Sequence, residues 1–310
     1  MKTTNFKSGF LEKFILAILL LSFFASIKPV VFNDGSYIAK YLVKYATVSL
    51  VSDESVGAIM ENSLYEDVVK KEVDQNVAID SEVNMTEISE AIFLTDKIIA
   101  ILLLVSICFL FKKNLLPVPY LIVCLGSISM WYLSNAIAVS LLGGKAFSEI
   151  TLFAHATRWG LPIVLIWVML FQNVEKPLHT RKIHLFIALC CSATFMAHGW
   201  EAFFLNPPFQ DLIFNFFNLI GISAATPFVL MLLKSIGCMD IILASIVLFI
   251  KSTKLYFWMV CWGFITAMSR TVSLGLDFWD ETLKRAPNFA MPLILLIIFF
   301  SYFKSDEHHV

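Results

Sequence analysis

Charged side chains are scarce in this chain: Asp, Glu, Lys and Arg make up only 15% of its 310 residues, whereas 58% are hydrophobic. Soluble domains are ordinarily about 45–50% apolar. A soluble fold could not cover this much Phe and Leu with so little charge. Several runs reach the roughly 20 apolar residues that a helix needs to cross a bilayer. The sequence therefore predicts an all-α, polytopic integral membrane protein built as a helical bundle.

The chain also lacks the short motifs that mark common catalytic chemistry. It contains no HExxH, no CxxCH and no Gly-rich phosphate loop, the patterns of zinc hydrolases, attached haem and nucleotide sites. No spacing of a nucleophile and a base supports a membrane-embedded enzyme. The sequence therefore favours a protein without catalytic activity, and it indicates no nucleic-acid partner.

Acidic residues are concentrated in one segment. Residues 32–90 contain twelve acidic side chains against four lysines, a balance of −8, while the whole chain has a net charge of −1. Within this segment, the stretch Tyr37–Leu50 is amphipathic and is predicted to lie along the membrane surface. The predicted organisation is an N-terminal signal-anchor helix (1–32), an acidic extracytoplasmic loop (33–90), a multi-span helical membrane domain (91–303) and a polar C-terminal tail (304–310).

Basic residues fall on alternate sides of the apolar runs, as the positive-inside rule requires. Lysines before the first run place the N-terminus in the cytoplasm, so we expect a multi-pass protein of the plasma (inner) membrane. The run 239–250 has only 12 residues, which is short for a span; we favour nine spans, or eight if this run does not cross. The predicted spans are 14–32, 91–111, 117–142, 150–171, 185–205, 209–233, 239–250, 255–272 and 288–303.

Two neighbouring spans carry ionisable groups that are costly inside a membrane. His155 and Arg158 lie on one face of the fourth span, and His198 and Glu201 lie on one face of the fifth. Because the two spans run antiparallel, both histidines are expected roughly 8–10 Å inside the outer boundary, at 1.5 Å per helical residue. Asn135, near the outer end of the third span, falls at a comparable depth.

Three interpretations of this polar group remain open. An Arg158–Glu201 ion pair, with the histidines as hydrogen-bonding partners, would lock helices together. The group could instead bind a small molecule or relay protons. His155 and His198 could also ligate a metal or a haem iron.

A second polar pair is predicted at the opposite, cytoplasmic face. Asp240 opens the short seventh span, and Arg270 closes the eighth. In the nine-span arrangement both residues lie at the cytoplasmic ends of their helices. We therefore predict a structural Asp240–Arg270 ion pair.

The C-terminal part has a characteristic layout. Gly237-Cys238-Met239-Asp240 precedes a short apolar helix, a lysine-flanked turn and a longer helix ending in Ser269-Arg270; Arg285-Ala286-Pro287-Asn288 then precedes the last apolar helix. This layout, over about 183–303, resembles the DoxX-like small four-helix membrane proteins. The resemblance implies a four-helix bundle associated with respiratory or thiol-redox partners, with Arg270 in the position of a family arginine. The present chain departs from those proteins in its additional spans and its acidic loop.

The leading functional hypothesis is a non-catalytic or redox-associated membrane protein that binds a small apolar or amphipathic molecule, such as a quinone or a lipid. In this hypothesis, Arg158 holds a carbonyl or anionic head, and His198 with Glu201 carries a proton. A haem remains the alternative cofactor. Two other classes stay open: a proton-coupled secondary transporter, and an assembly factor that docks a membrane or extracytoplasmic partner through 33–90. The predicted site residues are Asn135, His155, Arg158, His198 and Glu201.

Overall fold

The computed structural model describes residues 8–32, 35–46, 70–111, 117–171 and 177–300, and within these ranges the regular secondary structure is entirely helical. Six stretches are long and apolar enough to cross a membrane, so the prediction of a multi-span helical membrane protein is confirmed at that level. The helices are α1 (Ser8–Phe32), α2 (37–46), α3 (Lys70–Leu110), α4 (Val118–Leu142), α5 (Thr151–Ala154), α6 (Ala156–Phe171), α7 (Pro177–Phe203), α8 (Pro207–Leu219), α9 (Thr226–Phe249), α10 (Thr253–Leu274), α11 (Trp279–Leu283) and α12 (Ala286–Ile298).

The predicted acidic loop is partly helical. Helix α2 occupies most of the predicted amphipathic stretch, and α3 begins at Lys70, well before the predicted start of the second span at 91. The end of the predicted loop therefore continues into the membrane helix without a break. Residues 47–69 of the loop and the predicted tail 304–310 lie outside the described residues.

The largest difference from the predicted spans lies between Phe209 and Ile250. The apolar run 209–233 is not one helix: α8 ends at Leu219, and α9 begins at Thr226. Gly221, at φ +76°, occupies the intervening turn, a conformation in which a Cβ is strained. The run 239–250 is not a separate short helix either, because it forms the C-terminal half of the 24-residue α9.

Glycines allow the helices around this region to pack closely. Helix α7 runs antiparallel to α9, and a Cβ added at Gly237 would lie 2.5 Å from the Phe203 nitrogen and 2.7 Å from the Gly199 oxygen. A Cβ at Gly263 on α10 would lie 2.8 Å from the Asn288 oxygen on α12. Small residues at such crossings let membrane helices approach backbone to backbone. These contacts hold α7, α9, α10 and α12 around a common interior.

Helix α1 is anchored in the bundle by aromatic packing and hydrogen bonds. Phe23 is fully buried and packs edge-on against Trp131 and Tyr132 of α4, at ring-centroid distances of 5.2 and 5.7 Å. The Ser22 hydroxyl donates to the Lys284 carbonyl oxygen at 3.3 Å. The predicted anchor helix is thus an integral part of the fold and reaches the segment between α10 and α12.

Candidate functional site

The fourth predicted span is interrupted at the first of its two ionisable residues. His155 separates α5 from α6, with φ −100° and ψ 12°, and its carbonyl oxygen accepts from the Arg158 and Trp159 amides. The side chains of His155 and Arg158 are half-buried, and the Nε atom of Arg158 is buried without a hydrogen-bond partner. Arg158 therefore lies in the first turn after the break, and among the described residues its Nε has no acceptor.

The predicted Arg158–Glu201 ion pair does not form among the described residues. Glu201 instead pairs with His198 on its own helix, with Oε2 lying 3.1 Å from Nδ1. The three-residue spacing explains this choice, because side chains at i and i+3 lie on one helix face. Glu201 thereby fixes the His198 ring through one nitrogen, and the other nitrogen, Nε2, is left for a further partner.

Glu281 and Arg285, which the sequence did not single out, complete the polar group. Both follow α10 in the segment that leads into α12, and Arg285 Nη1 lies 2.7 Å from Glu281 Oε2. Glu281 and Arg285 interact electrostatically with His155, Arg158 and Arg270. Glu281 and Arg285 therefore lie close enough to interact with the charges of both α6 and α10.

Neighbouring cations determine the ionisation of the two carboxylates on α11. Burial alone raises the pKa of Glu281, but Arg285 and Lys284 outweigh it and hold this pKa well below its usual range. For Asp280, burial is likewise outweighed, here by hydrogen bonds from Lys28 and Lys284, so its pKa is lowered. Lys28 of α1 and Lys284 each lie 2.8 Å from an Asp280 oxygen. This network ties α1 to α11 beside the polar group.

The predicted Asp240–Arg270 ion pair is also not formed among the described residues. Asp240 lies in the middle of α9, and its Oδ1 accepts a 2.6 Å hydrogen bond from the Trp262 indole. Arg270 lies near the C-terminal end of α10, with its guanidinium carbon 5.1 Å from the Phe209 ring centroid and its Nε buried without a partner. The prediction was wrong because it made Asp240 the start of a helix.

Arg270 instead belongs with the residues of the first polar group. The Phe209 ring that Arg270 covers also lies 6.1 Å from the His198 ring, centroid to centroid. Arg270 further interacts with the charges of Glu201 and Arg285. Arg270, which the sequence assigned to the opposite face, thus lies with His198 of the first polar group around one aromatic residue near the start of α8.

A cavity of about 460 Å³ opens beside this polar group, between α7, α8, α9, α10 and α12. Its walls are mainly apolar, with Phe209, Ile213, Phe216, Phe217 and Leu233 among the lining residues. His198, Arg270 and Arg285 also line the cavity, and so does Asp240 with its partner Trp262, which precedes Arg270 by eight residues on α10. An apolar cleft of this size with a few convergent polar groups is the usual form of a small-molecule site.

Asn135 lies away from this cavity. Its Oδ1 accepts from the backbone amides of Tyr37 and Ile38 at 3.0 and 3.4 Å, and its Nδ2 donates to the Trp131 carbonyl oxygen at 2.9 Å. Asn135 therefore caps the first turn of α2, whose amides have no partner within the helix. The structure gives this predicted site residue a role in positioning α2.

The remaining predictions concern cofactors and relatives. Among the residues that the structure describes, no three His, Cys, Asp or Glu side chains are grouped to hold a metal ion. No family model, curated protein or solved structure matches this chain. The resemblance to DoxX-like proteins stays a prediction, although its short helix after Asp240 is the second half of α9.

Proposed function

We propose that the chain binds an amphipathic molecule with an anionic head, a lipid or a lipid-like compound, in the cavity beside α8. The observation that carries this proposal is the presence of two arginines, Arg270 and Arg285, in the wall of a mainly apolar cavity of about 460 Å³. Among the described residues no acceptor is hydrogen-bonded to the Arg270 guanidinium, and its two terminal nitrogens, unlike the enclosed Nε, are not enclosed by protein. A carboxylate or phosphate head would supply the missing acceptor, because guanidinium groups bind both in a planar, paired geometry.

The charge balance of the polar group supports an anionic ligand. Five cationic side chains face four carboxylates, which leaves one positive charge in excess when the histidines are neutral; the cations are Lys28, Arg158, Arg270, Lys284 and Arg285, and the carboxylates are Glu201, Asp240, Asp280 and Glu281. An uncompensated charge away from water is strongly unfavourable. One anionic head would neutralise the group.

The rim of the cavity supports entry from the bilayer. Phe216, Phe264 and Ile265 line the cavity, and their side chains are 43%, 49% and 55% exposed on the outer surface of the bundle. Apolar side chains exposed on membrane helices face lipid. An amphipathic molecule could therefore slide in between α8 and α10 with its chain leading along apolar walls and its head directed to the arginines.

The test uses dodecanoate as an anionic probe and dodecanol as its uncharged counterpart. Binding of radiolabelled dodecanoate is measured on the purified protein in an uncharged detergent, at mildly alkaline pH. We expect dodecanol to compete about tenfold less well, and Arg270→Gln to bind dodecanoate about tenfold more weakly, since a charged hydrogen bond contributes roughly 1.5–3 kcal/mol.

Arg181→Gln is the matched control. Arg181 is exposed near the start of α7 and does not line the cavity, so this variant should bind dodecanoate like the unmodified protein. Equal competition by dodecanol and dodecanoate, or full binding by Arg270→Gln, would contradict the proposal.

We also propose that the chain crosses the plasma (inner) membrane eight times, with its N-terminus in the cytoplasm. At 1.5 Å per residue, the 24-residue α9 is roughly 36 Å long and crosses a ~30 Å hydrocarbon core once, whereas the 13-residue α8, at roughly 20 Å, does not. The other crossings are α1, α3, α4, α5 with α6, α7, α10 and α12. Helix α12 also has 13 residues, but it is mostly buried among the other helices and its helical conformation continues through Phe300, whereas α8 ends at the Gly221 turn. This arrangement places the arginine end of the cavity in the extracytoplasmic half of the membrane.

A further inference from the structure

The cavity has a second polar position that the anionic head would not occupy. Asp240 is 6% exposed and lines the cavity, and its Oδ1 accepts from the Trp262 indole. Among the described residues no donor is bonded to the other oxygen, Oδ2, and that oxygen is not enclosed by protein. A carboxylate in apolar surroundings thus presents an unused acceptor to the cavity.

Both polar positions are marked by residues on one face of α10: Trp262, the hydrogen-bond partner of Asp240, and Arg270. Trp262, Thr266, Ser269, Arg270 and Ser273 all line the cavity, which is the spacing of a single helix face. From Trp262 to Arg270 the helix rises roughly 12 Å at 1.5 Å per residue. An occupant that reaches both positions must therefore be elongated, with polar groups at its two ends.

The wall of the cavity is mainly apolar. Leu233 of α9 and Ile213 and Phe217 of α8 line it, and the Thr266 and Ser269 hydroxyls of α10 already donate to backbone carbonyl oxygens of their own helix. A flexible polar chain would lose hydration along this wall without gaining hydrogen bonds. The middle of the occupant is therefore apolar.

We infer that the natural ligand is an elongated molecule with an anionic head at Arg270 and Arg285, an apolar middle, and a terminal hydrogen-bond donor, a hydroxyl or an amine, at Asp240. This inference rests on the proposed function, because it uses the arginine end to orient the ligand. A fatty acid with a polar terminus belongs to this class, whereas an ordinary fatty acid would leave the Asp240 acceptor unused. An unused buried acceptor costs free energy, so the site discriminates between the two.

The test compares dodecanoate, ω-hydroxydodecanoate and ω-aminododecanoate as competitors of radiolabelled dodecanoate. In the unmodified protein, we expect at least one of the two ω-substituted probes to compete about tenfold better than dodecanoate, as a hydrogen bond to a charged group contributes roughly 1.5–3 kcal/mol. The stronger of the two identifies the donor as a hydroxyl or an amine.

Two variants connect the preference to the Asp240 carboxylate. Asp240→Leu removes the acceptor and should abolish the preference, which is read as the ratio of the affinities of the ω-substituted probe and dodecanoate within this variant. Trp262→Phe removes the indole donor but keeps the carboxylate, and it should retain the preference.

The outcomes separate this inference from the proposed function. If dodecanoate binds through Arg270 but neither ω-substituted probe gains affinity, the inference is overturned and the proposed function stands. A preference that survives in Asp240→Leu, or one that is lost equally in Trp262→Phe, also overturns it. Failure of dodecanoate to bind at all would overturn both.

Discussion

At the scale of single residues, the site depends on carboxylates that keep their charge beside arginines. Glu281 contacts both Lys284 and Arg285, at 2.8 and 2.7 Å, and Asp280 contacts Lys28 and Lys284. These contacts hold Arg285 toward the cavity and fasten α1 to α11. Protonating Glu281 would weaken the hold on Arg285, and protonating Asp280 would weaken the attachment of α1.

Acid should therefore destabilise the protein through these two residues. The pKa values of Glu281 and Asp280 are lower in the folded protein than their ordinary values of 4.5 and 3.8. A group with a lowered folded pKa contributes stability above its ordinary pKa, and this contribution is lost as the pH falls through the folded value. We expect Glu281→Gln to lower the free energy of unfolding by about 1.5–3 kcal/mol at neutral pH.

Thermal unfolding in detergent, followed from neutral pH into the acid range, checks this expectation. The difference between Glu281→Gln and the unmodified protein should shrink below pH 4.5, where the ordinary carboxyl begins to take up protons. Glu149→Gln, at an exposed position outside the network, should follow the unmodified protein throughout. A difference that is the same at every pH would show that the charge of Glu281 is not what stabilises the fold.

Part of this site could be predicted from the sequence. Helical spacing put His198 and Glu201 on one face, and they are hydrogen-bonded in the structure. The sequence could not identify Glu281 and Arg285 as their neighbours, because both lie in a segment between helices whose position is decided by long-range packing. Their four-residue spacing beside several other charges is the available signal.

At the scale of helices, the tight crossing of α7 and α9 determines the shape of the cavity. Gly237→Ala would place a Cβ 2.5 Å from the Phe203 nitrogen, so the two helices must separate. Overpacking of this kind costs about 1–3 kcal/mol. We expect a lower thermal unfolding temperature and weaker dodecanoate binding, since α9 carries Leu233 and Asp240 into the cavity.

Gly126→Ala provides the control for this variant. A Cβ at Gly126, in the middle of α4, would meet nothing within 4 Å beyond its own helix, so the unfolding temperature should stay unchanged or rise slightly, as Ala favours helix. Equal effects of the two substitutions would mean that the loss comes from helix propensity or the membrane environment and not from the crossing.

The same region shows why the helix boundaries between 209 and 250 were predicted incorrectly. Hydrophobicity continues through Gly221 and up to Leu233, so the apolar run hid the turn, although Gly221 and Pro227 were local signals of a helix end and a helix start. The predicted spans 209–233 and 239–250 leave Lys234 and Gly237 in a connection between two helices. In the structure, α9 accommodates both: Lys234 is exposed, as expected of a long side chain that can extend to water, and Gly237 packs against α7.

At the scale of the whole molecule, the number of crossings decides which side of the membrane the cavity faces. The nine-span arrangement puts Ser223 in the middle of a span and Ser252 outside the cell. The structure puts Ser223 in the turn before α9 and Ser252 in the turn after it. Because a single membrane-crossing helix separates them, we expect Ser223 on the extracytoplasmic side and Ser252 on the cytoplasmic side.

Cysteine labelling in intact cells separates these arrangements. In a background in which the native cysteines are replaced by alanine, Ser223→Cys should react with a membrane-impermeant maleimide, and Ser252→Cys should react only after the membrane is permeabilised. Ala267→Cys, buried within α10, serves as the unreactive control. Reaction of Ser252→Cys from outside, with Ser223→Cys protected, would mean that the bundle is inverted, and it would put the arginine end of the cavity in the cytoplasmic half, so that a ligand would have to enter from the opposite leaflet. Reaction of both cysteines from outside would show that α9 does not cross the membrane.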